Sequence, residues 1–342
     1  METHSSLVQK ISETYEKGLF SLDLSYQAHF ACRKWRITGQ EKYISPVFYD
    51  FQIKTLRIIP WFDNLENQDY RQKEAKKILL ERSPQSQRLL KRKGIYEKNL
   101  DFVFYHKLLV YLFSLRSYRL EKILESSYQK AIIDLQKVDF KTLLADKDLI
   151  VFAPSFVANT LYYLQFLKIV NLENELKPLF YQTWQREKVK EDWRFFNKIY
   201  AFTHLIIAAS YFYQRFVSPK SFRPFLDFFE LNYEEIVKRT NPDIIGEVGL
   251  CFKLAKKPSF VITKTQEQLF SYFSPRLGYI PRKQKDSPQR AEHRNIIAIM
   301  FLSSYSRLYE GPDLVNFMKK NKKSFYLPQK GELLDLKNLL KF

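Results

Sequence analysis

Residues 199–213, IYAFTHLIIAASYFY, form the stretch that decides the fold class. Apolar side chains continue around a helix in this stretch, which predicts a buried helix interrupted by His204. Further along, 241–251 reads NPDIIGEVGLC and sets Asp243, Glu247 and Cys251 at i, i+4 and i+8 on one helical face. Burying an unpaired carboxylate or imidazolium costs several kcal/mol. These polar groups therefore either have hydrogen-bond or ion-pair partners in the fold or are retained for a function.

Comparable apolar stretches recur along the chain and alternate with amphipathic ones, such as 173–189 and 223–239. Helices that are apolar nearly all round should be buried, and those with one apolar stripe should lie outside them. We therefore predict an all-α fold, an α/α barrel (toroid) of alternating inner and outer helices, in which the polar residues of the inner helices point at a central cavity. An open solenoid of helical hairpins is the alternative. The inner stretches centre near Phe30, Leu108, Leu164, Ile206, Leu250 and Met300.

The chain is long enough to form one or two domains, and no linker composition divides it clearly. We predict a single helical domain over 1–342. Within it, 63–100 is polar and dense in charge, which indicates an insertion between early repeats, with a break at the SPQS tract of 83–86.

The formal net charge of +19 raises an anionic partner as a possibility. The basic clusters at 88–98, 281–285 and 319–323 lie beside predicted loops or helix ends, where cations are favourable, and do not form one stripe. We expect solvated helix ends, with nucleic acid, a membrane surface or a protein as the alternative partner.

We expect a cytoplasmic protein without a transmembrane segment. The first residues lack a basic segment followed by an apolar one, and no stretch approaches about 18 uncharged apolar residues. Cys32 and Cys251 are far apart and form no paired-cysteine motif, which agrees with a reducing compartment.

A helix over 191–216 would carry a polar stripe at spacings of three and four. His204 is the candidate catalytic residue on it, and Tyr200 and Tyr211 are candidates for substrate binding. The alternative is that His204 is a core histidine satisfied by a neighbouring carbonyl. The stripe consists of Asn197, Tyr200, His204, Tyr211 and Arg215.

The helix predicted to begin near Pro242 adds Asp243 and Glu247 as catalytic candidates and Cys251 as a substrate-binding one. Thr240 or Asn241 can cap it. Two glycines inside a helix cost about 1 kcal/mol each, which suggests close approach of a backbone or ligand beside Glu247. The alternative is tight packing, with Asp243 near the helix dipole and Glu247 in an ion pair.

A third segment, 276–294, supplies His293 and Arg282 as substrate-binding candidates. Asp286 or Ser287 can cap a helix in which His293 follows about two turns in, while the loop before it, containing Arg282, could contact an anionic group on a substrate. This loop alternatively is a plain polar surface loop.

We expect no cofactor and no metal at this site. His204, Cys251 and His293 are acceptable zinc ligand types, with Glu247 as a fourth ligand or a base, so zinc stays open. Paired ligands a few residues apart, which mark structural zinc sites, are absent from the sequence. A metal-free acid and base pair of His204 with Glu247 or Asp243 is favoured, because apolar surroundings raise the pKa of a carboxyl group.

The order of four segments resembles an uncharacterised bacterial family, the domain of unknown function 3541. The segments are 25–43 (SYQAHFACRKWRITGQEKY), 154–172 (PSFVANTLYYLQFLKIVNL), the TH of 201–214 (AFTHLIIAASYFYQ) and 241–254 (NPDIIGEVGLCFKL). The resemblance implies a helical protein in which the polar positions around His204 and Glu247 belong to the family pattern. It implies no activity.

In its helix alternation alone, the chain is similar to terpene cyclases, protein prenyltransferase β subunits, lanthionine cyclases and α/α-barrel glycosidases. It lacks the DxDD, QxxxGxW, DxC and CHG motifs of the first three, so their chemistry does not carry over. GxxxxGK[ST], GxGxxG, GxSxG and HExxH motifs are missing as well, which argues against nucleotide-driven, Rossmann-type, α/β-hydrolase and zincin chemistry.

Two functions of different classes remain. The first is an α/α-barrel enzyme, a hydrolase, lyase or cyclase acting on a peptide, glycan or small anionic substrate, with His204 and Glu247 as acid and base and Asp243 orienting them. The second is a non-catalytic helical scaffold that binds a protein partner or an anionic surface through its basic loops.

Overall fold

The computed structural model describes residues 4–80, 87–187, 189–282 and 286–321. These residues form an all-α structure with one isolated bridge, between Ser274 and Tyr279, and no β-strand, which confirms the predicted class. None of the described helices combines the length and the apolarity needed to cross a membrane.

Eighteen α-helices lie within the described ranges. The first nine are α1 (His4–Lys17), α2 (Leu24–Thr38), α3 (Ile44–Asp63), α4 (Gln68–Leu80), α5 (Gln87–Lys98), α6 (Leu100–Ser117), α7 (Glu125–Gln136), α8 (Phe140–Ala145) and α9 (Lys147–Phe152). The others are α10 (Pro154–Leu167), α11 (Glu173–Arg186), α12 (Asp192–Ala209), α13 (Arg223–Leu231), α14 (Tyr233–Arg239), α15 (Pro242–Leu254), α16 (Phe260–Tyr272), α17 (Pro288–Leu302) and α18 (Leu314–Lys320).

The chain groups into two compact units. One comprises Met1–Asp50 and Tyr181–Glu310, and the other comprises Phe51–Phe180 and Gly311–Phe342, as far as these residues are described. In the first unit α12, α15, α17 and α2 pack side by side in that order, with α1 against α17 and α16 against α15. In the second, α4 and α10 both pack on α6. The single domain over 1–342 and the closed barrel stay predictions.

The six most apolar stretches of the sequence all lie in helices, namely α2, α6, α10, α12, α15 and α17. Five of these helices are buried over most of their length; α15 is buried without a break from Ile244 to Phe252. The apolar pattern therefore located the core helices, and in the first unit it also found the row of helices that packs together.

The polar segment 63–100 is largely helical where it is described. It contains α4 and α5, and α4 buries Ala75 and Leu79 as it packs against α6. The predicted break at 83–86 lies outside the described residues. Whether the segment is an insertion stays a prediction.

Candidate functional site

Two carboxylates lie one turn apart at the start of α15. The helix begins where the sequence predicts, because the Asn241 side chain accepts hydrogen bonds from the backbone N–H groups of Asp243 and Ile244, and Pro242 occupies its first turn. The side chain of Asp243 is about a third exposed, whereas that of Glu247 is 1% exposed. The helix thus carries one carboxylate at a solvent-facing rim and one inside the protein.

His293 of α17 lies against both carboxylates. Its Nδ1 hydrogen-bonds Asp243 Oδ1 at 2.7 Å, and its Nε2 lies 3.9 Å from Glu247 Oε1. Ser287, which caps α17 by accepting from the backbone N–H of Arg290, sets the start of this helix as predicted. We call Asp243, Glu247 and His293 the acid–base cluster.

The charges of the cluster push the pKa values of its two carboxyl groups apart. Burial raises the pKa of Asp243, but the positive charge and hydrogen bond of His293 outweigh it, so the pKa falls below its ordinary value. Burial, helped by the charge of Asp243, raises the pKa of Glu247 to about 7. Burial lowers the pKa of His293, yet both carboxylates favour the imidazolium and bring the pKa to about 9. Two neighbouring carboxyl groups with pKa values this far apart can take different roles in acid–base chemistry.

Helix α12 packs against α15 at Glu247 and supplies a hydrogen bond to its carboxylate. The Thr203 hydroxyl donates to Glu247 Oε2 at 2.7 Å, which leaves Oε1 facing His293. One turn further along α15, the Cys251 thiol donates to the Thr203 carbonyl oxygen at 3.8 Å and is fully buried. Burial, and next the charge of Glu247, raises the pKa of this thiol well above its ordinary value. Cys251 is therefore a protonated packing contact between α12 and α15.

Helix α2 adds a second histidine held by a carboxylate. His29 Nδ1 hydrogen-bonds Glu292 Oε1 at 2.8 Å, and its ring centroid lies 5.4 Å from that of His293. Burial, followed by the charge of Arg33, lowers the pKa of His29 to about 4 even though Glu292 opposes the change. His29 is thus neutral beside the protonated ring of His293.

The helix that carries His204 ends earlier than predicted. We expected it to extend to Phe216, but α12 ends at Ala209, and Tyr211, Phe212 and Tyr213 adopt left-handed backbone with φ of 52°, 56° and 70°. Non-glycine residues pay roughly 1–2 kcal/mol each for this conformation. Tyr211 consequently leaves the His204 stripe.

The left-handed turn places Tyr213 inside the protein. The Ser210 hydroxyl oxygen accepts from the backbone N–H of Tyr213 at 2.8 Å and donates to the Ile207 carbonyl. The ring of Tyr213 is buried and lies 5.6 Å from the guanidinium carbon of Arg33. Burial raises its pKa well above the ordinary value, against the charge of Arg33.

His204 and Tyr200 form an aromatic contact on α12 that acts on the cluster through the charge of His204. Their rings contact each other, with centroids 4.1 Å apart, and the charge of His204 contributes to the lowered pKa of Asp243. The imidazole of His293 lies within 2.7 Å of Asp243 Oδ1 and 3.9 Å of Glu247 Oε1. The structure thus places His293 where the sequence analysis placed His204.

Tyr211 and Arg282 are the candidates that the structure separates from the cluster. The guanidinium carbon of Arg215 lies 3.6 Å from the ring centroid of Tyr211, next to the turn. Arg282 is exposed, and its backbone N–H donates to Asp286, which also pairs with Arg294. Residues 283–285 of the predicted substrate loop, and Lys322 and Lys323 of the C-terminal basic cluster, lie outside the described residues.

The two glycines that flank Glu247 allow close helix packing. A Cβ at Gly249 would lie 2.6 Å from Thr265 Cγ2 of α16, and a Cβ at Gly246 would lie 3.2 Å from Ile297 Cγ2 of α17. Side chains of neighbouring helices, rather than a ligand, occupy the space that a larger residue would need.

The acid–base cluster also offers atoms of the kinds that bind metals. One ligand atom from each of Asp243, Glu247 and His293 lies within 4.8 Å of the others. Because His293 Nδ1 is engaged by Asp243, the free donors at the centre are His293 Nε2 and Glu247 Oε1. Catalytic zinc sites take three protein ligands. The set is therefore a better fit to proton transfer, and zinc stays an untested alternative.

A large open cavity of about 1250 Å³ lies near the other end of α15, away from this chemistry. Lys253 lines it and donates to the carbonyl oxygens of Met300, Phe301 and Ser303 at the end of α17. Burial lowers the pKa of Lys253 to about 8. Because these carbonyl oxygens accept hydrogen bonds from the ammonium group, Lys253 caps the C-terminal end of α17. We therefore do not place the functional site in this cavity.

The comparison with protein families supports the sequence resemblance. The family model described as domain of unknown function (DUF3541) matches residues 4–330. The chain belongs to the DUF3541 family. No curated protein and no solved structure matches it. Membership of DUF3541 brings no activity with it, so the function has to be argued from the site.

Several residues of the site escaped the sequence analysis. They come from α2, α12 and the turn after it, and their signal was present but weak: His29 and Arg33 stand at i and i+4, inside a segment quoted only for its family resemblance. Glu292, which precedes His293 in the sequence, has no feature in the sequence that indicates its pairing with His29. The residues missed altogether are His29, Arg33 and Tyr213, whereas Thr203 lies on the polar stripe next to that of His204 and was given no role.

Proposed function

We propose that this DUF3541 protein is a hydrolase whose acid–base cluster activates water. The observation that supports this most directly is the separation of 3.9 Å between His293 Nε2 and Glu247 Oε1. A water oxygen about 2.8 Å from both atoms would make an angle of about 90° between them, which two ordinary hydrogen bonds accommodate. The substrate is a peptide, a glycan or a small anionic compound.

In the proposed reaction, Glu247 is the general base and His293 the general acid. Glu247 Oε1 takes a proton from water as the oxygen attacks the substrate, and His293 Nε2 gives its proton to the leaving group. The proton on Glu247 then passes to His293, which restores both groups. Asp243 orients the imidazole through Nδ1 and stabilises its positive charge.

The proposal gives a defined pH dependence. The base must be ionised, which requires a pH above the Glu247 pKa of about 7, and the acid must be protonated, which requires a pH below the His293 pKa of about 9. We therefore expect a bell-shaped rate profile with its maximum near pH 8, rising through the first value and falling through the second. A profile that keeps rising above pH 9 would contradict the role of His293.

The test is a search for turnover with matched variants. Wild type, Glu247→Gln and His293→Gln are incubated with a mixture of small metabolites and peptides at pH 8, and consumption is followed by mass spectrometry. We expect a compound that the wild type hydrolyses and that either variant turns over at least about 100-fold more slowly. Glu234→Gln, an exposed carboxylate on α14, is the control and should act as wild type. No difference between wild type and folded Glu247→Gln refutes the proposal.

A further inference from the structure

Arg33 is a cation near the acid–base cluster that has no anionic partner among the described residues. It lies on α2, one turn after His29, and within the described residues it forms no ion pair with an Asp or Glu. Its Nη1 donates to the His29 carbonyl oxygen at 3.3 Å. Arginine has five N–H donors. Most of the donor capacity of this guanidinium is therefore unused by the part of the chain that is described.

The Nε of Arg33 is buried and has no hydrogen-bond partner in the part of the chain that the structure describes. A buried donor without an acceptor costs about 1–3 kcal/mol, and more when the group is charged. Two other buried cations of the unit have anionic partners: Lys34 on the same helix pairs with Glu16, and Arg294 pairs with Asp286. Arg33 differs from these two cations because it has no Asp or Glu partner among the described residues.

Arg33 is placed where it acts on the cluster. Its charge opposes protonation of His29 and His293 and helps the ionised forms of Glu247 and Tyr213. The side chain is only partly exposed, and the ring of Tyr213 lies 5.6 Å from its guanidinium carbon. One face of the Tyr213 ring therefore lies toward the guanidinium.

We propose that Arg33 forms an oxyanion subsite, so that the substrate carries a carboxylate or phosphate group next to the bond that reacts. A guanidinium binds both groups through two parallel N–H···O hydrogen bonds, and the free donors of Arg33 match this geometry. The protonated ring of His293 adds a second positive charge within electrostatic reach of Arg33. The inference rests on the proposed function for the reaction, but the binding itself needs only Arg33.

Binding of small anions tests the subsite without knowledge of the substrate. Inorganic phosphate and acetate are titrated into the protein at constant ionic strength by calorimetry, with acetamide as the neutral control. We expect wild type to bind at least one anion and not acetamide, and Arg33→Gln to bind it at least about tenfold more weakly, the loss of one charge-assisted hydrogen bond. Arg33→Lys keeps the positive charge but loses the parallel N–H donors of the guanidinium, and its anion affinity should lie between those of wild type and Arg33→Gln. The preferred anion distinguishes a phosphate from a carboxylate substrate.

Two further variants keep the outcomes distinguishable. Arg223→Gln removes an exposed charge from the same unit and should bind as wild type; equal losses in Arg223→Gln and Arg33→Gln would mean that net charge alone attracts the anion. Glu247→Gln should still bind the anion, since it keeps Arg33. If Arg33→Gln, folded by circular dichroism, binds as tightly as wild type, the subsite is refuted. If anion binding needs Arg33 but wild type turns over nothing, the proposed hydrolase is refuted and the subsite stands.

Discussion

Replacing Glu247 by glutamine should stabilise the protein at neutral pH and have little effect in acid. Glu247 has 1% exposure and a pKa raised from 4.5 to about 7, so the folded state holds a proton that the unfolded chain releases. One pKa unit corresponds to about 1.4 kcal/mol, so a rise of roughly 2.5 units corresponds to about 3 kcal/mol. The raised pKa destabilises the folded protein: this loss of unfolding free energy is absent below pH 4.5, grows as the pH rises to 7 and stays constant above pH 7.

Glutamine lacks this titration and keeps the shape of the side chain. Its amide oxygen can still accept the Thr203 hydroxyl, so the hydrogen bond to α12 survives. His293 stays protonated in the folded protein up to a pKa of about 9, and in the unfolded chain it titrates alike in both proteins, so its effect largely cancels from the difference between Glu247→Gln and wild type at pH 4.5–7.5. We expect the stability of Glu247→Gln relative to wild type to increase by about 3 kcal/mol over this interval.

Urea unfolding at pH 4.5 and 7.5, with hydrogen exchange read on peptides from α15, measures this difference in the unit that contains the site. Glu234→Gln, on the exposed side of α14, controls for the removal of one negative charge and should show no such pH dependence. A difference between wild type and Glu247→Gln that is equal at the two pH values would refute the reasoning, because Glu247 would then titrate alike in the folded and unfolded chain.

Three further predictions concern packing, backbone and metals. Gly249→Ala should destabilise the protein by about 1–2 kcal/mol, because overpacking against Thr265 outweighs the gain in helix propensity. Gly94→Ala on α5, where a Cβ would have no described atom within 4 Å, should stabilise the protein by about 0.5–1 kcal/mol. Thermal melts that rank the two variants in the reverse order would contradict this. Ser210→Ala should cost about 1–3 kcal/mol in urea, because the backbone N–H of Tyr213 loses its acceptor in a left-handed turn; an unchanged midpoint would mean that the hydroxyl does not hold the turn. Adding Zn²⁺ or a chelator should leave the melting temperature within about 1 °C, because a site with two free donors binds weakly; a large shift would favour the metal alternative.

Local signals explain why two helices of the site were predicted well. Asn241 and Ser287 as caps, each followed by a proline, are short-range features that depend on hydrogen bonds within three residues. The spacing of Asp243 and Glu247 is equally local, because i and i+4 share a face on any helix. The all-α class and the core helices followed from periodicity alone.

The parts that the sequence analysis missed depend on long-range packing or unfavourable backbone. The His29 to Glu292 hydrogen bond joins residues 263 positions apart, and nothing in the spacing of α2 indicates that it packs on α17. The end of α12 at Ala209 could not be predicted from propensity, since tyrosine and phenylalanine rarely adopt positive φ. The exchange of His204 for His293 as the central imidazole has the same origin: both histidines are on core helices, and only their side-chain positions distinguish them.

Three separate energetic costs occur in the first unit. Glu247 is buried with a raised pKa, Arg33 leaves a buried N–H without an acceptor, and three consecutive residues before Gln214 adopt the left-handed conformation. Each alone has a structural explanation, but each works against stability, and together they cost several kcal/mol in a protein whose total margin is of the order of 5–15 kcal/mol. Strain and unsatisfied polar groups persist where the surrounding fold compensates them, and they concentrate at functional sites. The charge of Arg33 acts on Glu247 and His293, and Tyr213, the last residue of the left-handed turn, interacts with the charges of Arg33 and Glu247. This electrostatic link to the acid–base cluster favours a site kept for chemistry over a merely well-packed core.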